Sequence, residues 1–106
     1  MHPMDLYIAN VPFDEGYGSK RRPALVLVIK EEYVIVFKIT SKYTNKSERI
    51  KHLYYPIKDW QAAGLYKQSY VDTHKAYQIT RSAVFSRKPI GKLTVKDVIG
   101  LSLFIK

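Results

Sequence analysis

The sequence predicts an α+β domain that is mainly β: a small, strongly curved antiparallel sheet in the manner of an SH3-like barrel, with a C-terminal helix. Three observations carry this expectation. Short apolar, β-rich runs recur on both sides of the middle of the chain, one polar tract interrupts them, and one amphipathic segment closes the sequence. A chain of 106 residues with 46% hydrophobic residues makes one domain, 1–106, with enough apolar side chains for a core, which excludes a disordered protein. There is no internal repeat, low-complexity tract or linker.

Residues 6–13 alternate weakly and open the sheet. Residues 13–22 form a loop carrying Asp14, Glu15, Gly16 and Gly18, and Pro23 then starts a strand, where a missing N–H costs little. Residues 24–29 and 33–39 form a hairpin turned by Lys30-Glu31-Glu32; both strands are too apolar to face water, which places them centrally. Residues 40–50 read as an exposed loop, or a loop with a helical turn. Residues 53–56 form a short strand, and Asp59-Trp60-Gln61-Ala62-Ala63-Gly64 makes one or two helical turns anchored by Trp60 and closed by glycine. Residues 69–73, 77–80 and 83–85 supply three more strand segments. Tyr54, Tyr55, Tyr66, Tyr70 and Tyr77 fall in strand-like runs and are expected to pack the sheet. The closing helix covers 95–104, with Thr94 and Asp97 at capping-box spacing and Val95, Val98, Ile99, Leu101 and Phe104 as its apolar face.

Charge narrows the function. Eighteen Lys and Arg against nine Asp and Glu give a formal charge of +9. The cations cluster at residues 20–22, 42–51 and 81–92, which favours a polyanionic partner, nucleic acid first, over a basic surface kept for solubility. The absence of cysteine excludes disulfides, thiolate nucleophiles and cysteine zinc sites, and fits a reducing compartment. Met1-His2-Pro3-Met4-Asp5 has neither the basic nor the apolar region of a signal peptide, and no apolar stretch has the length of a membrane span, so a cytoplasmic location and no membrane partner are expected. No HExxH, acidic metal cluster or Walker loop is present, and Gly16 and Gly18 precede a strand where a dinucleotide site needs a helix. Neither cofactor nor metal is expected.

RNA can be cleaved without a metal because it carries its own nucleophile, the 2′-hydroxyl. A protein must align that hydroxyl with the phosphorus, move two protons and stabilise charge on the non-bridging oxygens. In Gly16-Tyr17-Gly18-Ser19-Lys20-Arg21-Arg22-Pro23, a cationic cluster sits on the rim of a strand, an arrangement suited to phosphate. On the residues alone, Arg22 reads equally as a phosphate ligand or as a solvated base beside proline. Thr40 and Ser41 read as phosphate-binding hydroxyls or as turn caps.

Residues 6–13, the glycine loop 16–22, the Arg22-Pro23 step into strand 23–28, and strand 33–41 ending in Ile39-Thr40-Ser41 together resemble the MazF/PemK family of toxin endoribonucleases. The likeness covers most of the first half of the chain and, more loosely, the second. It implies the SH3-like fold and a catalytic role for Arg22, the arginine of the family's Arg-Pro pair. It also implies a phosphate-binding role for Thr40, with Ser41 beside it. On the family's late strand, which in many members ends in an acidic or polar residue near the active site, His74 occupies that place and Lys75 follows. His74 is therefore the expected proton-transfer group, with Asp72 as the alternative if the register shifts by two, and a structural or merely exposed histidine as the other reading. Lys20, Arg21, Lys42 and Lys75 are expected to contact RNA phosphates, and Tyr17 to stack on an unpaired base or fold back onto the core.

The expected function is a metal-independent, sequence-preferring endoribonuclease toxin acting on single-stranded RNA and leaving 2′,3′-cyclic phosphate and 5′-OH ends. The resemblance implies a homodimer with RNA along the dimer face and a cognate antitoxin. Two alternatives stand beside it: an SH3-like module that binds nucleic acid without cutting it, and a toxin of related fold acting on a protein such as DNA gyrase. The apolar C-terminal segment Leu101-Ser102-Leu103-Phe104-Ile105-Lys106 looks like a packing helix and argues against the last.

Overall fold

The structure, a computed structural model, describes residues 1–13, 17–44, 46–84 and 88–105. The expected glycine-loop residues Asp14, Glu15 and Gly16, and Phe85 of the expected strand 83–85, lie outside the described residues. Six strands run β1 (Asp5–Pro12), β2 (Ser19–Ile29), β3 (Tyr33–Thr40), β4 (Tyr54–Pro56), β5 (Tyr70–Thr80) and β6 (Gly91–Lys92), with helices α1 (Glu48–Lys51) and α2 (Val95–Ile105). They form one antiparallel sheet in the order β4-β5-β3-β2-β1-β6, curled into a half-barrel with α2 packed on one face. The mainly β fold with a C-terminal helix is as the sequence predicts, and β2 and β3 are central.

The two-residue alternation of strands splits the apolar side chains between two faces. Leu25, Phe37, Ile39 and Val71 face α2 and pack with Leu6, Tyr55, Ile57 and Leu101. Ala24, Val34, Val36, Tyr77 and Ile79 face the other way, with Ala9 and Val11. Helix α2 turns Val98, Leu101 and Phe104 inward, and Tyr55 meets Phe104 edge-on at 5.6 Å between ring centroids. Val95 and Ile99, expected on its buried face, point outward, as does Leu103. A helix apolar nearly all round gives periodicity little to separate its faces, and Asp97 decides the matter by being fully buried. A Cβ at Gly100 would collide with the Tyr55 ring, so glycine in mid-helix is what lets α2 lie on β4.

Three boundaries differ from expectation. β2 starts at Ser19, so residues 19–22 are strand and only the stretch up to Gly18, at φ +98°, is loop. Pro23 therefore sits inside the strand opposite Ile8, where the β2–β3 ladder has not yet begun. The expected strands 69–73 and 77–80 are one strand, β5, interrupted by a bulge: Phe37 faces Ala76 but Lys38 faces Asp72, which leaves residues 73–75 unmatched. Arg81–Ala83 is a 3-10 turn, followed by an isolated bridge from Val84 to Ala9. The polar tract does contain a helical turn, α1, capped by Ser47, and residues 59–64 make turns closed by Gly64 at φ +94°.

Thr94 and Asp97 form only half of a capping box. The Asp97 N–H donates to Thr94 Oγ1 at 3.4 Å, but the Asp97 carboxylate points into the molecule. Its Oδ1 accepts from Tyr55 Oη at 2.6 Å and Lys58 N at 3.0 Å, and its Oδ2 accepts from Asp59 N at 2.8 Å. One carboxylate thus joins α2, β4 and the start of the 57–69 loop.

Candidate active site

The face opposite α2 is apolar only along part of its length. The last pair of the β2–β3 ladder is Ala24 opposite Lys38, and extending that antiparallel register by two residues sets Arg22 opposite Thr40. Alternation then places Lys20 and Arg22 of β2 beside Lys38 and Thr40 of β3 on one face, continuing the Ala24, Val34 and Val36 row. These residues floor a cleft of about 320 Å³. Ser41, Lys42 and Lys46 from the polar tract form one wall, and Leu65, Tyr66 and Lys67 from the 57–69 loop form another. Six cations line the cleft, and no carboxylate is among its described lining residues.

Arg22 is half-buried, and its Nε is shielded from solvent with no hydrogen-bond partner. A buried donor left unpaired costs roughly 1–3 kcal/mol, which sets this atom apart from the satisfied polar groups of the core. Thr40 Oγ1 accepts the Lys42 N–H at 3.1 Å, the turn-capping contact expected of such a residue, and its own O–H stays available to donate into the cleft. The wall is held by stacking: Tyr43 lies on Tyr70 at 4.3 Å and 8°, which ties the start of the polar tract to β5.

Lys38 differs from the exposed cations Lys20 and Lys42. Its side chain is 12% exposed and its Nζ lies 3.5 Å from Oδ2 of Asp72, itself 4% exposed. Asp72 Oδ1 accepts the backbone N–H of His74 at 2.9 Å, across the bulge.

Of the residues picked from the sequence, Lys20, Arg22, Thr40, Ser41 and Lys42 meet in the cleft. His74 does not line it; it is exposed in the β5 bulge. Lys75 lies beside it with Nζ 5.2 Å from the centroid of the Tyr77 ring. Arg21 alternates onto the opposite side of β2 from Arg22, and Tyr17, fully exposed, stands in the loop before β2 and does not fold back onto the core. Tyr66 corrects the sequence expectation: it is 99% exposed on the cleft wall and packs no sheet. Lys38 was missed because one lysine inside an apolar strand carries no motif; its signal is the matching carboxylate on a strand that only the fold makes its neighbour.

Among the described residues, no helix is long and apolar enough to cross a membrane. No curated protein matches the chain. Among solved structures, the Mycobacterium tuberculosis toxin MazF-mt6 matches with a TM-score of 0.67 and 22% identity, covering 95% of this chain and 91% of that one; at that identity the likeness is one of fold. The family model described as PemK-like, MazF-like toxin of type II toxin–antitoxin system matches residues 2–102. With nearly its whole length matched, the chain belongs to the PemK-like, MazF-like toxins of type II toxin–antitoxin systems.

Proposed function

We propose that the chain is an endoribonuclease toxin that cuts single-stranded RNA, messenger RNA included, by metal-independent transesterification. The 2′-oxygen attacks the adjacent phosphorus, the 2′-O–P bond forms, and the P–5′-O bond breaks. The products carry a 2′,3′-cyclic phosphate and a 5′-OH. The observation that carries this reading is the shielded, unpartnered Nε of Arg22 on the floor of a cationic cleft, with the Thr40 hydroxyl opposite.

Arg22 takes the non-bridging oxygens through its planar fork of donors, where charge builds in the transition state. Thr40 donates its O–H to one of them, and Ser41 helps hold the phosphate. Lys20, Lys42, Lys46 and Lys67 follow the neighbouring phosphates, supplying affinity without sequence choice. Tyr66 on the cleft wall and Tyr17 before β2 offer exposed rings on which unpaired bases stack. A cognate antitoxin is the protein partner that family membership supports, a homodimer is the working assembly, and the cytoplasm the compartment. The outward Val95, Ile99 and Leu103 of α2 offer apolar surface for such contacts.

The test is incubation of the protein and its Arg22→Ala variant with a long single-stranded RNA in EDTA, followed by mapping of fragment ends. Discrete cuts with 5′-OH ends, made by the parent and not by the variant, are expected. RNA that is bound but left intact would overturn the nuclease and leave a nucleic-acid-binding module.

A further inference from the structure

Within the endoribonuclease reading, we propose that Lys38 is a second catalytic cation at the scissile phosphate and that Asp72 is the positioning residue that aims it.

The argument begins with burial. An ammonium on a flexible four-carbon stem normally reaches water, and holding it in a desolvated place costs free energy unless a fixed counter-charge meets it. Lys38 is held so: its side chain is 12% exposed, and its Nζ lies 3.5 Å from Asp72 Oδ2. The carboxylate is itself anchored, because Oδ1 takes the His74 N–H at 2.9 Å. That contact depends on the bulge, where residues 73–75 have no opposite on β3 and the chain folds back over its own Asp72. The carboxylate is not among the cleft-lining residues, whereas Lys38 is. RNA entering the cleft therefore meets the ammonium and not the negative charge that orients it.

Position makes the cation useful. Lys38 is two residues from Thr40 on the same face of β3, and the extended register makes it the diagonal neighbour of Arg22 across the β2–β3 pair. Such diagonal pairs stand about 7–8 Å apart, within reach of long side chains converging on one phosphate. The two cations suit different tasks. The Arg22 fork fits two non-bridging oxygens, while an ammonium is a compact point charge suited to the single oxygen that becomes negative as the P–5′-O bond breaks. In this step the 2′-hydroxyl proton passes to water, the 2′-O–P bond forms as the P–5′-O bond breaks, and the departing 5′-oxygen takes its proton from water while Lys38 stabilises its charge. A lysine preorganised by Asp72 needs no reorientation at that moment.

The experiment measures kcat and KM on a DNA oligonucleotide carrying one ribonucleotide at the mapped cut, with thermal unfolding alongside. The variants are Lys38→Met, Lys38→Arg, Asp72→Asn and the Lys38→Met/Asp72→Asn double, in which no buried charge is left alone. Lys38→Met is expected to lower kcat about 10²-fold with KM changed far less, and Lys38→Arg to recover part of it. Asp72→Asn should lower kcat about tenfold in the parent and have no further effect on Lys38→Met, the non-additivity of a residue acting through another. Variants that lower the melting temperature but cut at the parent rate per folded molecule would overturn the proposal and make the pair structural. So would an Asp72→Asn loss that persists undiminished without Lys38. A parent protein that leaves the long single-stranded RNA itself uncut would instead overturn the nuclease reading, and the role of Lys38 with it.

Discussion

Two shielded polar groups on opposite sides of the sheet are treated in opposite ways. Asp97, on the buried face of α2, is itself fully buried and receives three hydrogen bonds, from Tyr55, Lys58 and Asp59. Arg22, on the other face, has a shielded Nε with no partner. The first pattern is that of a group the fold uses to hold itself together; the second is that of a group whose partner comes from outside. Folding has already satisfied Asp97, so changing it should affect stability. On the proposed reading the unpartnered Nε of Arg22 is left for a ligand, so changing Arg22 should affect function and leave stability alone or slightly improved.

Arg22→Ala is the sharpest way to break that contrast. Cleavage is expected to fall by about 10²–10³-fold, the usual loss when a donor to transition-state charge is removed, while the melting temperature stays within about 2 °C of the parent. Parallel loss of activity and stability, read by cleavage kinetics and calorimetry, would make Arg22 a structural residue like Asp97 and dissolve the distinction.

Asp97→Ala should do the reverse. It strands the Tyr55 hydroxyl and two backbone N–H groups; at roughly 1–3 kcal/mol for each unsatisfied donor, relieved in part by water, a loss of about 3 kcal/mol is expected. For a domain of this size that lowers the melting temperature by about 10–20 °C. Burial alone would push the Asp97 carboxyl up, but the Tyr55 hydroxyl and the N–H groups of Asp59 and Lys58 outweigh it and hold it below the ordinary carboxylate value. Burial, then the bond to Asp97, pushes the Tyr55 phenol well above its usual range, so the phenol remains a donor. Because the folded carboxyl is the more acidic one, its contribution is present above about pH 4, the unfolded carboxylate value, and is lost as pH falls through the lower folded value. Urea unfolding from pH 7 down to pH 2.5 should show Asp97→Asn converging on the parent as acid protonates Asp97. A constant gap would mean that the charge contributes nothing.

Thr40→Ala tests a weaker contact. One neutral hydrogen bond to the phosphate predicts a fall in cleavage of about tenfold, with Thr40→Ser close to the parent because the hydroxyl survives. If Thr40→Ser loses as much as Thr40→Ala, the methyl and the turn geometry matter, not the donor.

The same contrast explains what the sequence disclosed. β2 and β3 were legible because they are apolar on both faces, and Arg22-Pro23 because a cation fixed in extended backbone is a local pattern. Asp97 was misjudged because Thr94-Val95-Lys96-Asp97 satisfies a local capping rule while the carboxylate is claimed by residues some forty positions away. The β5 bulge was illegible for a related reason. Three inserted residues shift the phase of the alternation, so one strand reads as two, and Asp72 and Lys38 become neighbours only through the register the bulge creates. Local rules read the elements and patterns that are local in sequence, and missed the contacts whose partners the fold supplies.

His74 is where local reading and structure diverge most, and the smallest effect is expected there. The sequence recommends it as the titratable group of the late strand. In the fold its ring is exposed on the bulge, outside the cleft, and what binds Asp72 is the His74 backbone N–H. A backbone contact survives any side chain that tolerates the bulge, so His74→Ala should keep the Asp72–Lys38 geometry and leave cleavage within about threefold of the parent, inside the range of ordinary surface substitutions. His74→Pro has the opposite logic: it keeps neither the ring nor the N–H, and it should reproduce the Asp72→Asn defect. If His74→Ala instead abolishes cleavage while the melting temperature holds, the imidazole is the proton-transfer group after all. The bound RNA must then run from the cleft over the β5 bulge, and the site would extend beyond the pocket that holds Arg22.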